Sequence, residues 1–166
     1  DVSESRGLGD VYKRQTIFFV LIVIALISAL NSFREAGIIL SVAILCTGLA
    51  FFGLLVGNAN FGFIGLVGAV GLIGLSINDA IVVLSHIKEA NEDQKLTKDR
   101  LIEVVIRSTR HIITTSVTTV GGFLPLLITS VFFKPLAWAM SVGVLGATII
   151  ALLYIPSLYV IKEKIV

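Results

Sequence analysis

The stretch Gly71–Lys88, GLIGLSINDAIVVLSHIK, decides the fold of this chain. It is apolar over most of its length, as a membrane-spanning helix is, yet it carries Asn78 and Asp79 side by side. An ionisable group at the centre of a bilayer costs about 2.5–3.5 kcal/mol on insertion scales. Such a residue is normally retained because it faces a partner, a cavity or an ion path. Asp79 is therefore the first candidate for a functional site.

The composition of the whole chain agrees with a membrane protein. Of its 166 residues, 56% are hydrophobic and only 14% are charged, which is too few charges to cover the surface of a soluble domain of this length. The fold class predicted is all-α membrane. The single cysteine, Cys46, excludes an internal disulfide and a cysteine-rich metal site. With His86 and His111 as the only histidines, no metal site and no cofactor are predicted.

The first fifteen residues, DVSESRGLGDVYKRQ, are polar and lack the apolar core of a signal peptide. Within them, Ser5–Gln15 resembles the in-frame translation of a transposon sequencing adapter. We therefore expect residues 1–15 to be a non-native tail and residues 16–166 to be a membrane helical bundle. A natural polar N-terminus is the alternative. This expectation also makes the chain a fragment of a longer protein.

Five apolar runs follow the tail, and each is predicted to span the membrane. The first has only 15 residues, short of the roughly 20 that a helix needs to cross a bilayer, as expected if its first turn is missing. The long polar segment before the fourth run is predicted to form a surface-lying amphipathic helix over residues 97–110. The predicted spans are residues 16–30, 38–56, 61–87, 111–131 and 135–161.

Basic residues set the predicted topology, because cytoplasmic loops of membrane proteins are enriched in lysine and arginine. One side of the membrane carries Arg34, Lys88, Lys95, Lys98, Arg100, Arg107, Arg110, Lys162 and Lys164. The loops of the other side carry only Lys134. We expect a multi-pass protein of the bacterial inner membrane with a cytoplasmic C-terminus.

Small residues and one proline predict how the helices pack. The third span begins with glycines at every third position, which lets a neighbouring helix approach closely or slide; pure packing is the alternative. They are Gly62, Gly65, Gly68, Gly71 and Gly74. Pro125 is expected to kink the fourth span, because proline lacks a backbone donor.

The polar residues of the third and fourth spans are the candidates for proton transfer. Asn78 shares a helical stripe with Gly71, Gly74 and Ser85, and this stripe is expected to pack against a neighbouring helix. Asp79 shares another stripe with Ser76 and His86. A buried carboxylate can carry protons if its hydration changes during a transport cycle, or it can be purely structural. His86 is expected to be a membrane-edge residue.

The fourth span adds a run of hydroxyl side chains that includes Thr115. Hydroxyls inside a membrane usually donate to a carbonyl one turn back on their own helix. The alternative is that one of them donates to Asp79 or to a water chain beside it. The candidate proton-relay residues are therefore Asp79, Asn78 and Thr115.

Three stretches together resemble a known family. They are GLSINDAIVVLSHIKEANE, LIEVVIRSTRHIITTSVTTVGGFLPLLIT and GVLGATIIALLYIPSLYVI. They are similar to the C-terminal membrane helices of resistance–nodulation–division (RND) efflux transporters, most closely the AcrB-like (AcrB/AcrD/AcrF) branch. The resemblance covers residues 16–166 and implies the last five of twelve helices.

The resemblance implies a homotrimeric, proton-driven exporter of hydrophobic or amphiphilic compounds, a secondary transporter rather than an enzyme. Its implied partners are membrane lipid, a periplasmic adaptor, an outer-membrane channel and the N-terminal half of the same chain; no nucleic acid is implied. In the family an aspartate pair on the fourth helix works with a lysine and a threonine, which here fall at Asn78 and Thr115. This chain departs from the family pattern at two positions: Asn78 stands where the lysine is expected, and Ser108 stands where an arginine is expected.

Other readings stay open at this point. The chain would also fit an RND exporter of metal ions or lipids, or a protein-translocation accessory subunit of the same superfamily. An intramembrane aspartyl protease needs two membrane aspartates, whereas Asp79 stands alone within the predicted spans.

Overall fold

The computed structural model describes residues 2–93 and 97–163, and it describes side chains over residues 16–91, 97 and 99–161. Within these residues the chain is helical and contains no strand. The helices are α1 (Val2–Leu30), α2 (Phe33–Val56), α3 (Phe63–Asp93), α4 (Lys98–Thr129) and α5 (Lys134–Glu163). Helices α2 to α5 are long and apolar enough to cross a membrane, and Thr16–Leu30 is a shorter apolar helix. The predicted all-α membrane fold is confirmed.

The chain divides into two compact units, the first ending at Gly37. In this unit, Asn31 adopts a left-handed conformation (φ 52°), which asparagine tolerates better than most residues. The hydroxyl of Ser32 then accepts a hydrogen bond from the backbone N–H of Glu35 at 3.4 Å, which caps α2. The turn is therefore shorter than the predicted polar loop, and α2 begins at Phe33 instead of residue 38.

The backbone of residues 2–15 is helical and continuous with the apolar part of α1. The sequence division at residue 15 thus has no counterpart in the backbone. The resemblance of Ser5–Gln15 to an adapter translation stays a prediction.

The second unit, residues 38–166, is organised around α5, which packs against α3 and α4 and also closely approaches α2. Small residues make these approaches possible. A Cβ added at Gly53 of α2 would lie 2.7 Å from the carbonyl oxygen of Trp138, and one added at Gly57 would clash with the Trp138 ring. Gly143 and Gly146 of α5 leave room in the same way for Leu72 and Leu49. The centre of the bundle is therefore built on small side chains, as in other membrane helix pairs.

The glycines predicted to pack on α3 divide into two groups. A Cβ at Gly68 would lie 3.1 Å from Leu136 and Ala139, and one at Gly65 would lie 3.1 Å from Leu54. One at Gly71 would lie 3.3 Å from the Met140 sulfur. No atom lies within 4 Å of a Cβ added at Gly62 or Gly74 among the residues described. Among the described residues, close approach is therefore found at the middle of the run, and the packing role of the whole run stays a prediction.

Helix α4 is continuous from Lys98 to Thr129 and unites the predicted surface segment with the predicted fourth span. Its 32 residues measure about 48 Å at 1.5 Å per residue. This exceeds the roughly 30 Å hydrocarbon core, so the polar N-terminal turns can extend beyond the membrane without a bend. Pro125 lies inside α4, and the helix continues for one turn beyond it, to Thr129.

Candidate functional site

Asp79 lies on the buried face of α3 with 4% of its surface exposed. The face is defined by residues one turn apart, including Leu72, Ser76, Val83 and Ile87, all of which are at most 1% exposed. Their spacing follows the helical period, because α3 turns the same side toward its neighbours over four turns. Asp79 is thus held at the interior of the second unit.

Two other helices supply the neighbours of Asp79. Cys46 of α2 is fully buried and lies close enough to interact with both Ser76 and Asp79. His111 of α4 lies within electrostatic reach of the Asp79 carboxyl. Ser76 directs its hydroxyl to the carbonyl oxygen of Ile73 at 2.9 Å. The buried carboxyl is therefore within electrostatic reach of one group on α2 and one on α4.

Asn78 is exposed, although it precedes the buried Asp79 directly. Ser85 and Gly74, on the same stripe, are exposed as well, and only Gly71 closely approaches another helix, at Met140. The expected packing of this stripe against a neighbouring helix is therefore seen only at Gly71 within the described residues. The reason is that α2 and α5 pack against the adjoining sector of α3, about 100° away.

Thr115 is half-buried on α4, and its hydroxyl points back along its own helix. It lies 2.8 Å from the carbonyl oxygen of Ile112 and 3.3 Å from that of His111. Thr119 donates to the carbonyl of Thr115 in the same way, at 2.7 Å. Of the two accounts open from the sequence, the structure shows donation within the helix. No hydrogen bond joins Asp79, Asn78 and Thr115 to one another within the described side chains.

Buried hydroxyls instead connect the helices at positions that the sequence did not single out. Ser116 of α4 and Thr148 of α5 share a hydrogen bond, and both are buried. Asn91 of α3 donates to the Tyr159 hydroxyl of α5 at 3.3 Å. Their partners lie 32 and 68 residues away, so no local sequence pattern indicates these pairs.

His86 belongs to another interhelical contact, with Ser108 of α4. The His86 Nδ1 and Ser108 Oγ atoms are 2.9 Å apart, and Ser108 is fully buried. The Ser108 hydroxyl donates its single proton to the carbonyl oxygen of Val104 at 3.0 Å. His86 Nδ1 is then the donor to Ser108. His86 is thus anchored between α3 and α4, which the expectation of a simple membrane-edge residue did not include.

The site can hold a proton on Asp79, inside a bundle of membrane-length helices. A buried ionisable residue within a membrane-length helix is by default a functional-site candidate. These features define a class: polytopic helical membrane proteins with a carboxyl group in the bundle interior.

The chain belongs to the AcrB/AcrD/AcrF family, whose model matches residues 11–163. The resemblance to the AcrB/AcrD/AcrF branch that the sequence predicted is confirmed, and the relatives it matches include efflux pump membrane transporters. The match begins at Val11 and so includes the last residues of the polar tail.

Three curated relatives show the range of this similarity. The chain is 29% identical over 150 residues to the toluene efflux pump membrane transporter TtgB of Pseudomonas putida, covering 86% of this chain and 14% of that protein. It is 26% identical to the swarming motility protein SwrC of Bacillus subtilis, over 89% of this chain and 14% of SwrC. It is 25% identical to the nickel-cobalt-cadmium resistance protein NccA of Alcaligenes xylosoxydans, over 84% of this chain and 13% of NccA. The chain spans about a seventh of these relatives.

The fold is also similar to a solved structure, a heavy metal efflux pump in its second crystal form. The TM-score is 0.77 at 21% identity, covering 96% of this chain and 16% of the other. At that identity the comparison supports the arrangement of the helices and no particular substrate.

Proposed function

We propose that this chain is part of a proton-coupled inner-membrane pump that exports hydrophobic or amphiphilic compounds, with Asp79 as a proton carrier. The observation that carries the proposal is the burial of the Asp79 side chain on the inward face of α3, a helix long and apolar enough to cross a membrane. A structural aspartate buried in a helix bundle normally has its oxygens bonded to fixed donors. No such donor contacts Asp79 among the described residues.

In this proposal the carboxyl binds one proton when water reaches it from one side and releases it when water reaches it from the other. Conformational change between the two states moves substrate outward. Helices that meet through glycines such as Gly53 and Gly68 can shift without large side chains in the way. Asn78 and Thr115 are proposed to contribute from the open face of α3 and from α4, and neither contacts Asp79 here.

The test is Asp79→Asn in the full-length protein that carries this chain. Asparagine keeps the size and polarity of the side chain and removes its ability to take up and release a proton. We expect export of a fluorescent amphiphile from cells, and proton flux in inverted vesicles, to fall at least about tenfold, since a positioned proton-transfer group contributes about 100-fold or more in rate.

Asp99→Asn is the matched control, because Asp99 lies exposed in the first turn of α4. The two variants are compared at equal amounts of protein in the membrane. If the two variants export the fluorescent amphiphile equally well, Asp79 does not carry protons, and its role is structural.

Metal export is the second candidate. The chain is 25% identical to the nickel-cobalt-cadmium resistance protein NccA, close to its 29% identity with the toluene pump TtgB. To distinguish the two candidates, the full-length protein is expressed in a bacterial strain that lacks its own efflux pumps. Resistance to toluene or dyes supports the first candidate, and resistance to nickel, cobalt or cadmium supports the second. Lipid export and a role in protein translocation remain alternatives that the same strain can test.

Further parts of the proposal follow from the family. We propose a homotrimer that works with a periplasmic adaptor and an outer-membrane channel, and with the rest of its own chain. The matched part of this chain covers only 14% of these relatives, so these partners would be engaged largely by other segments.

A further inference from the structure

The hydrogen bond between His86 of α3 and Ser108 of α4, at 2.9 Å, fixes the register of these two helices. The helices follow each other in the chain and run in opposite directions. Asp79 precedes His86 by two helical turns, or about 10 Å along α3. His111 follows Ser108 by about 4.5 Å along α4, in the same direction. His111 therefore lies at a depth between His86 and Asp79.

The helical period places these side chains on the sides of α3 and α4 that meet. Asp79 and His86 share one side of α3, because they are two turns apart. On α4, His111 is three residues from Ser108 and four from Arg107, so the three are neighbours on one side. The seam between α3 and α4 thus carries a series of ionisable groups, from His86 through His111 to Asp79.

A polar cleft of about 260 Å³ lies at the outer end of this series, between the C-terminal part of α3 and the N-terminal part of α4. One water molecule occupies about 30 Å³ in the liquid, so several fit among the charged groups of the lining. The polar residues of the lining are His86, Glu89, Arg100, Glu103 and Arg107. His86 is therefore next to a space where protons can exchange with solvent.

Two titratable side chains of neighbouring helices act on the Asp79 carboxyl, Cys46 of α2 and His111 of α4. Cys46 is fully buried, whereas His111 is exposed. Of these two, His111 is the one that connects the carboxyl to water. Imidazole is also the side chain best suited to take up and release protons near neutral pH.

His86 has one nitrogen for the same task. Its Nδ1 holds a hydrogen in the bond to Ser108, because the Ser108 hydroxyl uses its own proton on the Val104 carbonyl. The other nitrogen, Nε2, is then the one that can take up a proton. The contact that fixes the register of the two helices thus leaves His86 able to carry protons.

We propose that His111 and His86 form the proton path between Asp79 and the polar cleft. The inference rests on the proposed function, in which Asp79 carries the proton, and adds the route. The carboxylic acid of Asp79 gives its proton to the neutral imidazole of His111, which leaves a carboxylate and an imidazolium. Water carries the proton on to Nε2 of His86, and His86 releases it to water in the cleft. The reverse steps load Asp79 from the cleft.

The first test is His111→Gln in the full-length protein, with substrate-dependent proton flux measured in inverted vesicles at equal amounts of protein. The flux should fall at least about tenfold, because a positioned proton-transfer group contributes about 100-fold or more in rate. Thr114→Ala is the matched control, because Thr114 is exposed on α4 one turn from His111 and donates to the Arg110 carbonyl of its own helix at 2.8 Å. Equal flux in the two variants would overturn the path.

Added imidazole separates proton transfer from a structural effect of the same variant. A soluble imidazole can replace a missing proton-transferring side chain at an exposed position, but it cannot repair a disturbed helix bundle. Each flux is divided by that of the wild-type protein in the same buffer, because imidazole also lowers the pH gradient. The relative flux of His111→Gln should rise, and that of Asp79→Asn should stay low. No rise in His111→Gln would show a structural role and overturn the path.

His86→Asn tests the second step and keeps the contact between the helices. The asparagine amide nitrogen can replace Nδ1 as the donor to Ser108, but it takes up no proton. The flux should again fall at least about tenfold. Wild-type flux in this variant would show that His86 acts only as a helix contact, and it would overturn the path.

Asp79→Asn, measured in the same vesicles, separates this inference from the proposed function. Low flux in Asp79→Asn with normal flux in both histidine variants would refute the histidine path and leave the proposed function standing. Normal flux in Asp79→Asn would refute the proposed function, and the path with it.

Discussion

At the scale of residues, α3 and α4 are joined by a contact between two side chains, His86 and Ser108. Ser108 is fully buried, and its hydroxyl both accepts from His86 and donates to Val104. A buried polar group that loses its partner costs about 1–3 kcal/mol, so the contact stabilises the pairing of the two helices. The same histidine also lines a small polar cleft between the C-terminal part of α3 and the N-terminal part of α4.

A double-mutant cycle with His86→Ala and Ser108→Ala measures this contact. We expect a coupling free energy of about 0.5–1.5 kcal/mol, the usual net value of one hydrogen bond. The measurement is the free energy of unfolding in micelles by denaturant titration. Thr109→Ala replaces Ser108→Ala in the control cycle, because Thr109 donates only to the Val105 carbonyl of its own helix. Equal coupling in both cycles would show that the helices do not communicate through Ser108.

At the scale of elements, the approach of α2 to α5 depends on glycine. The carbonyl oxygen of Trp138 would lie 2.7 Å from a Cβ at Gly53, and backbone atoms cannot rotate away as a flexible side chain does. Directly after the end of α2, Gly57 makes room for the Trp138 ring. The two glycines leave space at the C-terminal end of α2 for the N-terminal turns of α5.

Gly53→Ala should therefore destabilise the bundle by about 1–3 kcal/mol, the usual cost of overpacking. Gly48→Ala is the control on the same helix, because nothing lies within 4 Å of its added Cβ among the residues described. Alanine is the better helix former, so Gly48→Ala should be neutral or stabilising by up to about 1 kcal/mol. Thermal unfolding of the two purified variants provides the comparison. Equal melting temperatures would contradict the close α2–α5 contact.

At the scale of the whole molecule, the polar ends of the helices favour one orientation. Helix α3 runs past its apolar part to Asp93, and α4 starts at Lys98, so the basic residues of this region lie at one end of both helices. By the positive-inside rule we predict that this end is cytoplasmic. With α5 returning to the same side, the C-terminus is proposed to be cytoplasmic as well.

Reporter fusions at Val166 of the full-length protein test this orientation. A fluorescent protein that folds in the cytoplasm should be bright there, and alkaline phosphatase, which needs the periplasm, should be inactive. Fusions after Val131, in the short loop before α5, should give the opposite pair of results. The reverse pattern at both sites would show that the basic residues do not set the topology.

The sequence by itself determined the class of protein, the number of apolar helices and the family. These properties are local: hydropathy and helical period depend on neighbouring residues, and the three family-like stretches can be read along the chain. The sequence also identified Gly65, Gly68 and Gly71 as packing positions. It divided residues 97–131 into an amphipathic segment and a span, whereas the backbone forms one continuous helix, α4; where that helix enters the membrane stays a prediction.

Only the tertiary structure decided which of Asn78 and Asp79 is buried. Adjacent helical residues point about 100° apart, and the buried sector depends on where α2 and α5 pack. The partners of Ser108, Ser116 and Asn91 were likewise undetermined, because they lie on other helices. Such contacts follow from the positions of whole helices, which the order of residues along one helix does not specify.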